Sequence, residues 1–350
     1  MNDRAVGLLE QYDMDVLKTK KGRGAIICDT SLGCLIFKEY KGNAQKIAAQ
    51  NSLLTAVRER GTVCVESIVP NKEGKLTVQD SDGTSYVLKT WVEGRECNIY
   101  DRGECLQAVR VLALLHKELE SCLSVEEVRG EMDQQDSSED SPIRPLLTMP
   151  VTVPGAEYEK HNRELKKVRK FLRERGQKSW FEICLQQAFD YFLEQAEEVT
   201  GQWQEYRHLS EGQPECGCFC HGDYQYHNIV NDNGNWHIIN FERIVRDNPI
   251  RDLYLLLRKL LEKSNWSVAL GTELLAAYQE VRPISAYSQI DLYYRLSYPE
   301  KFWKIVNFYY NSRKSWIPER NLEKLTKLQN QEAQKQVFLE TVFREVGNSK

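Results

Sequence analysis

The sequence has no stretch of about 18 uncharged apolar residues, the length an α-helix needs to cross a bilayer, so a helical membrane span is excluded. It also lacks an excess of charge of either sign. Its 47 Lys and Arg face 51 Asp and Glu, a formal net charge of −4 with a pI near 6.0. No global field is available to hold nucleic acid or an anionic membrane, and neither is expected as a partner. The opening MNDRAVGLLEQYDMD is polar and acidic, without a basic n-region or an apolar h-region, so an ordinary secretory signal is not expected. There is no internal repeat. Ten cysteines without such a signal read as reduced thiols in a cytosolic setting, not as a disulfide framework. Cys216, Cys218 and Cys220 would share one face of an extended strand. A zinc site would more usually show C-x2-C pairs, so these three are expected to pack as small apolar side chains beneath that strand.

What is present is ordinary globular material. The 350 residues are 41% hydrophobic and 28% charged, enough for a sizeable core. At about 150 residues per domain the length suggests two domains. Residues 1–92 look β-rich. Ala25-Ile-Ile-Cys-Asp-Thr30 and Cys34-Leu-Ile-Phe-Lys-Glu-Tyr40 read as a hairpin about a Ser-Leu-Gly turn. Residues 43–60 read as a helix that stops at Gly61. Strands are expected over Lys75–Gln79 and Ser85–Val92, about a turn ending at Gly83.

From residue 93 onward the pattern is helical, over 103–121, 161–178, 180–199 and 321–346. The helix at 161–178 carries eight Lys and Arg around an apolar stripe, and a solvated face is expected there. Residues 131–140 hold five acids, within an acidic insertion near 127–150, and Pro142, Pro145, Pro150 and Pro154 should keep the following chain extended. The fold class is therefore α+β: a small N-lobe over 1–92, a sheet with one helix, and a larger helical C-lobe over 93–350.

The chemistry concentrates in His221-Gly-Asp-Tyr-Gln-Tyr-His-Asn228, followed by an Asn-Asp-Asn-Gly turn and Trp236-His-Ile-Ile-Asn-Phe-Glu242. An acid is followed five residues later by an amide, and a hairpin then delivers a further polar group at 240. Phosphoryl transfer needs such a set: one carboxylate for the attacking hydroxyl, and an Asn with a further carboxylate to hold Mg2+ against the phosphates. The spacing H-x-D-x-x-x-x-N resembles the catalytic loop of the aminoglycoside phosphotransferase and choline kinase superfamily, which implies a two-lobed protein-kinase-like fold.

The resemblance implies Asp223 as base, His221 as brace of the loop, and Asn228 with Asn240 as metal ligands. It makes Lys38 the strand lysine that pairs with the phosphates. Lys89, Thr90, Trp91 and Val92 look like the hinge that would meet adenine of an ATP cofactor. Arg251 and Asp252 look like the support behind the loop. His161–Lys170, Pro249–Leu253, Leu260–Lys263, Tyr298-Pro-Glu-Lys-Phe-Trp-Lys304 and Asn311–Pro318 are similar to the CotS family of spore-coat proteins of endospore-forming bacteria. That family implies other coat proteins as partners, and residence in the mother-cell cytoplasm and then the spore coat.

Three departures weigh against catalysis. Asn240 stands where active relatives place an Asp, and a neutral amide adds no negative charge to hold Mg2+. The helix at 43–60 has no acid before Glu59, so the usual glutamate partner of Lys38 is missing, with Gln50 the nearest polar candidate. Lys18-Thr-Lys-Lys-Gly-Arg-Gly24 lacks G-x-G-x-x-G, and reads equally as a basic hairpin edge or a phosphate cradle. Three readings follow. The first is a kinase-like coat protein acting in coat assembly with weak or absent phosphotransfer. The second is an active small-molecule or protein kinase, and the third is an ATP-binding regulatory pseudokinase.

Overall fold

The computed structural model of the protein describes residues 3–22, 24–132, 141–152, 154–207, 217–311 and 318–344. The chain forms two compact units. The first comprises Met1–Val151, Gly217–Asp252 and Ala277–Arg282; the second comprises Thr152–Cys216, Leu253–Ala276 and Pro283–Lys350.

The first unit holds a six-stranded antiparallel sheet in the order β1 (Val16–Gly22), β2 (Ala25–Thr30), β3 (Gly33–Glu39), β7 (Ser85–Thr90) and β5 (Ile68–Val69), with β6 (Val78–Gln79) also on β7. Strand periodicity divides its residues. Leu35, Phe37, Tyr86 and Leu88 pack with Leu9, Tyr12, Ile26 and Cys28 in one core. Lys38 pairs with Val87 and Ile36 with Lys89, so alternation turns both lysines to the other face. Helix α1 (Ala44–Arg60) begins at Asn43, whose side chain accepts from the Lys46 N–H, and ends at Gly61 in the left-handed region.

A second sheet explains why this unit runs past residue 93. β4 (Cys64–Val65) and β8 (Arg95–Glu96) add to the hairpin of β10 (Ile229–Asp232) and β11 (Asn235–Ile238), so backbone hydrogen bonds tie the early strands to the later loop. The strand expected over Lys75–Gln79 shrinks to Val78–Gln79, and that over Ser85–Val92 ends at Thr90.

The second unit is helical. α4 (Pro154–Glu174) and α5 (Trp180–Arg207) form a hairpin, with α8 (Ala286–Ser297), α9 (Glu300–Asn311) and α10 (Pro318–Val342) in the same unit. The chain between Pro142 and Pro154 is not simply extended. A one-turn α3 (Arg144–Leu147) forms there, and Pro154 opens α4, because a proline at a helix start gives up an N–H with no intrahelical partner. Four of the eight basic residues over 161–178 pair with acids of α5: Lys166 meets Glu197, Arg169 and Arg173 meet Asp190, and Arg175, just past α4, meets Glu182. The acidic residues 133–140 and Trp316 lie outside the described residues.

At the centre of this helical core Phe302 is fully buried. It stacks on Phe192 at 4.7 Å and meets Phe189 edge-on at 5.2 Å. Phe302→Ala should cost about 3–5 kcal/mol through lost transfer energy and a cavity. The measurement is urea unfolding, with a lower midpoint and an unchanged slope.

Candidate functional site

The site is built from one face of the sheet and one hairpin. β10 and β11 are joined by Asn233 and Gly234, both at positive φ (50° and 97°), the backbone that a two-residue turn of this hand requires. This turn returns the chain so that the Ile239 N–H donates to the Asn228 carbonyl at 3.0 Å. Asn228 and Asn240 then face each other.

A continuous relay of hydrogen bonds crosses the site. The Lys38 ammonium donates to Asn240 Oδ1 at 3.1 Å. Asn240 Nδ2 donates to Asn228 Oδ1 at 2.9 Å, and Asn228 Nδ2 donates to the Asp223 carbonyl at 2.8 Å. Each amide accepts on one side and donates on the other, which fixes the orientation of both.

This donor set does not fit Mg2+, which requires oxygen ligands with anionic charge among them. Of the two oxygens expected to hold the metal, one faces an ammonium and the other an amide N–H. The hydrogen of Asn240 does the bridging that a cation would do between two oxygens.

Charge enters through two acids. Glu242 Oε1 lies 3.0 Å from Lys38 and 2.6 Å from Lys89, and Lys89 lies 2.7 Å from Glu66. Lys89 and Glu66 are each only 2% exposed. Burial works against the ionised Glu242, but Lys89 and Lys38 outweigh it and bring its pKa from 4.5 to about 2. Burial likewise opposes the charge on Lys89, and Glu66 with Glu242 leaves it above the ordinary lysine range.

The loop before Asn228 is held from behind. Asp252, fully buried on α6 (Ile250–Lys263), accepts the His221 N–H at 2.6 Å and the Gly222 N–H at 2.9 Å. Gly222 has φ +79°, and a Cβ there would stand 1.9 Å from the Arg243 carbonyl oxygen, so only glycine fits. His221 donates from Nε2 to the Ile239 carbonyl at 2.9 Å and accepts the Asp223 N–H on Nδ1 at 3.2 Å.

Behind Asp252, His116 Nε2 lies 3.3 Å from its Oδ2, and His116 Nδ1 lies 2.7 Å from the Tyr278 hydroxyl. Burial lowers the His116 pKa, so the neutral ring accepts from Tyr278 and donates to Asp252. Burial would raise Asp252, but the hydrogen bond from His116 and the N–H of Gly222 are among the contacts holding it below the usual carboxylate range. Arg251 pairs with Asp247 at 3.0 Å. The Asp223 side chain accepts from Gln225 at 2.6 Å, with Arg243 3.8 Å away.

Lys38, His221, Asp223, Asn228, Asn240 and Asp252 are thus brought together. The Lys89 side chain is held in the buried ion pairs, and its position in β7 is paired with Ile36 and Ile68. The Thr90 and Trp91 N–H groups donate to Ser67 and Cys34 carbonyls, and the Val92 carbonyl accepts from Gly94. Lys38 is paired with Glu242, whereas Gln50 is buried with its Oε1 lacking a hydrogen-bond partner.

Glu66, His116 and Tyr278 were missed. For Glu66 a signal existed: one acid within Val63-Cys-Val-Glu-Ser-Ile-Val69, matched by one cation within Tyr86-Val-Leu-Lys-Thr-Trp-Val92. The edge strand β1 is exposed throughout, and Arg23 of the basic hairpin lies outside the described residues. Cys216 does too, while Cys218 and Cys220 are buried, and burial pushes the Cys220 thiol well up.

Residues 157–342, just over half of the chain, match the family described as "Spore coat putative kinase YutH". The chain belongs to that family. It is also 30% identical over 138 residues to spore coat protein S of Bacillus subtilis (strain 168), a match spanning 39% of this chain and 39% of that protein. Among solved structures it is similar to an aminoglycoside phosphotransferase from Alicyclobacillus acidocaldarius, with a TM-score of 0.76 at 19% identity over 97% of this chain and 95% of that one. A spectinomycin phosphotransferase bound to ADP and spectinomycin gives 0.59 at 13% identity, over 95% and 97% of the two chains. An amicoumacin kinase bound to AMP-PNP and Ca2+ gives 0.57 at 12% identity, over 94% of each. At these identities the likeness establishes the fold, a kinase-like α+β architecture for this spore coat family member.

The depressed pKa of Glu242 fixes a sign. Its contribution to stability is fully present above about pH 4.5 and is lost as the pH falls towards 2. Glu242→Gln should therefore destabilise by about 2 kcal/mol at neutral pH, and the gap to the unmodified protein should close on acidification through that window. Urea midpoints measured between pH 2 and 7 check this; a gap independent of pH would show that the carboxylate is not paired.

Proposed function

We propose that this protein is a kinase-like component of the spore coat that acts in coat assembly, with phosphotransfer weak or absent. One observation carries the reading: Asn228 Oδ1 accepts from Asn240 Nδ2 and Asn240 Oδ1 accepts from Lys38, so both oxygens that would grip a metal are met by hydrogen-bond donors of the chain. Membership of the spore coat family, and the partial match to spore coat protein S, support the location. The protein would be made in the mother-cell cytoplasm and then join other coat proteins in the coat.

A second reading, a nucleotide-binding regulator, is favoured by Lys38. Its side chain is a quarter exposed beside Asn240, and fold neighbours carry ADP or AMP-PNP. Lys38 would then meet the phosphates without a metal.

Two measurements test this. ATP consumption with Mg2+ should be no faster in the unmodified protein than in Asp223→Ala. In spores lacking the protein, Asp223→Ala should restore the coat as fully as the unmodified sequence does. Mg2+-dependent turnover that Asp223→Ala abolishes would overturn the first reading. Thermal unfolding with ATP addresses the second: saturation at roughly 100 times Kd adds about 2.7 kcal/mol, and the regulator requires that shift without Mg2+.

A further inference from the structure

In phosphotransferases of the protein-kinase type, the strand lysine is set by a glutamate on the helix packed against the sheet, and movement of that helix can switch the site. Helix α1 offers no acid before Glu59, and Gln50 on its buried face makes no hydrogen bond through Oε1. The acid comes instead from the short connection between β4 and β5. Glu66 Oε2 accepts from the Lys89 ammonium at 2.7 Å and from the Asn240 N–H at 2.8 Å, while Oε1 accepts the Phe241 N–H at 3.0 Å. Among these contacts α1 reaches Glu66 through Arg58 of its last turn, which donates to the Glu66 main-chain carbonyl at 2.8 Å.

We propose that Glu66 is the positioning acid of this site, with Lys89 as its counter-ion, so that the Asn240–Glu242 segment and Lys38 are set by the sheet and not by a side chain of α1.

Three features make this more than a filled core position. Asn240 is held in the left-handed region at φ 68°, ψ 55°, an uphill conformation for a residue with a Cβ, and Glu66 receives its N–H there. Two successive N–H groups meet the two different oxygens of one carboxylate, and glutamine would set its NH2 against one of them. The geometry also passes onward: Lys89 bridges Glu66 to Glu242, and Glu242 holds Lys38. Among the described residues, no hydrogen bond to this cluster comes from a side chain in the body of α1. The inference goes beyond the proposed function, since it holds whether or not the site turns over ATP.

The test is amide hydrogen exchange at Asn240 and Phe241, which needs no ligand. Glu66→Gln should speed exchange at both amides by at least tenfold, and Gln50→Met should leave both within twofold of the unmodified protein. If the single Glu66 variant fails to fold because Lys89 loses a partner, Glu66→Gln combined with Lys89→Met removes both charges. That double variant should regain most of the melting temperature while the two amides stay fast, a split that a merely structural role would not produce. Protected amides in the folded double variant, or release of them by Gln50→Met to the same degree, would overturn the proposal. A protein that neither binds nor consumes ATP would bear on the functional reading alone.

Discussion

Four charges in alternation, Lys38, Glu242, Lys89 and Glu66, hold the site together, and most of its other features follow from them. Desolvating an ion costs several kcal/mol, and two of the four are almost wholly buried, so each must be answered by an opposite charge at contact distance. Two cations and two anions sum to zero. The fifth member, Asn240, keeps that sum because it is neutral. An aspartate in its place would bring the cluster to −1 and set a carboxylate oxygen against Asn228 Oδ1, an arrangement that calls for a cation. Asparagine supplies its own N–H there. The loss of charge at 240 and the closure of the polar network are thus one chemical fact.

The loop that carries Asp223 depends on a separate buried acid. Asp252 gathers two successive backbone N–H groups, and that geometry sets the turn in which Gly222 must pass against the Arg243 carbonyl. His116, itself bonded to the Tyr278 hydroxyl, meets Asp252 from the far side. The same device appears at Glu66, which gathers the N–H groups of Asn240 and Phe241. In each case a buried carboxylate fixes two consecutive peptide units, and with them the side chains those units bear.

How far this was legible from the sequence depends on range. The spacing from His221 to Asn228 and the Asn-Gly turn before Asn240 are local patterns, and local patterns fix hairpins and loops. Lys38, after the apolar run Leu-Ile-Phe, and Asp252, after the hairpin, are singled out only through the resemblance to the kinase superfamily. Glu66 and Lys89 were not paired, because they are 23 positions apart and each by itself is one charge in an apolar strand. Glu242 lies 153 positions from Lys89, and no period in the sequence announces such a contact. Pro154 was misjudged for a related reason, since proline both interrupts a helix and begins one, and only the following residues decide which.

The family match, residues 157–342, takes in the loop, Asn228, Asn240 and Glu242, but not Lys38, Glu66 or Lys89. The site is therefore assembled from two stretches of chain, joined by Glu242 on both lysines, by Lys38 on Asn240, by Glu66 on two backbone N–H groups, and by the pairing of β4 and β8 with the later hairpin. Here the charges balance and the amides are satisfied within the chain, so the polar centre of the first unit is complete without any ligand. Each ammonium, carboxylate and amide of this cluster thus finds its partner in another residue of the chain.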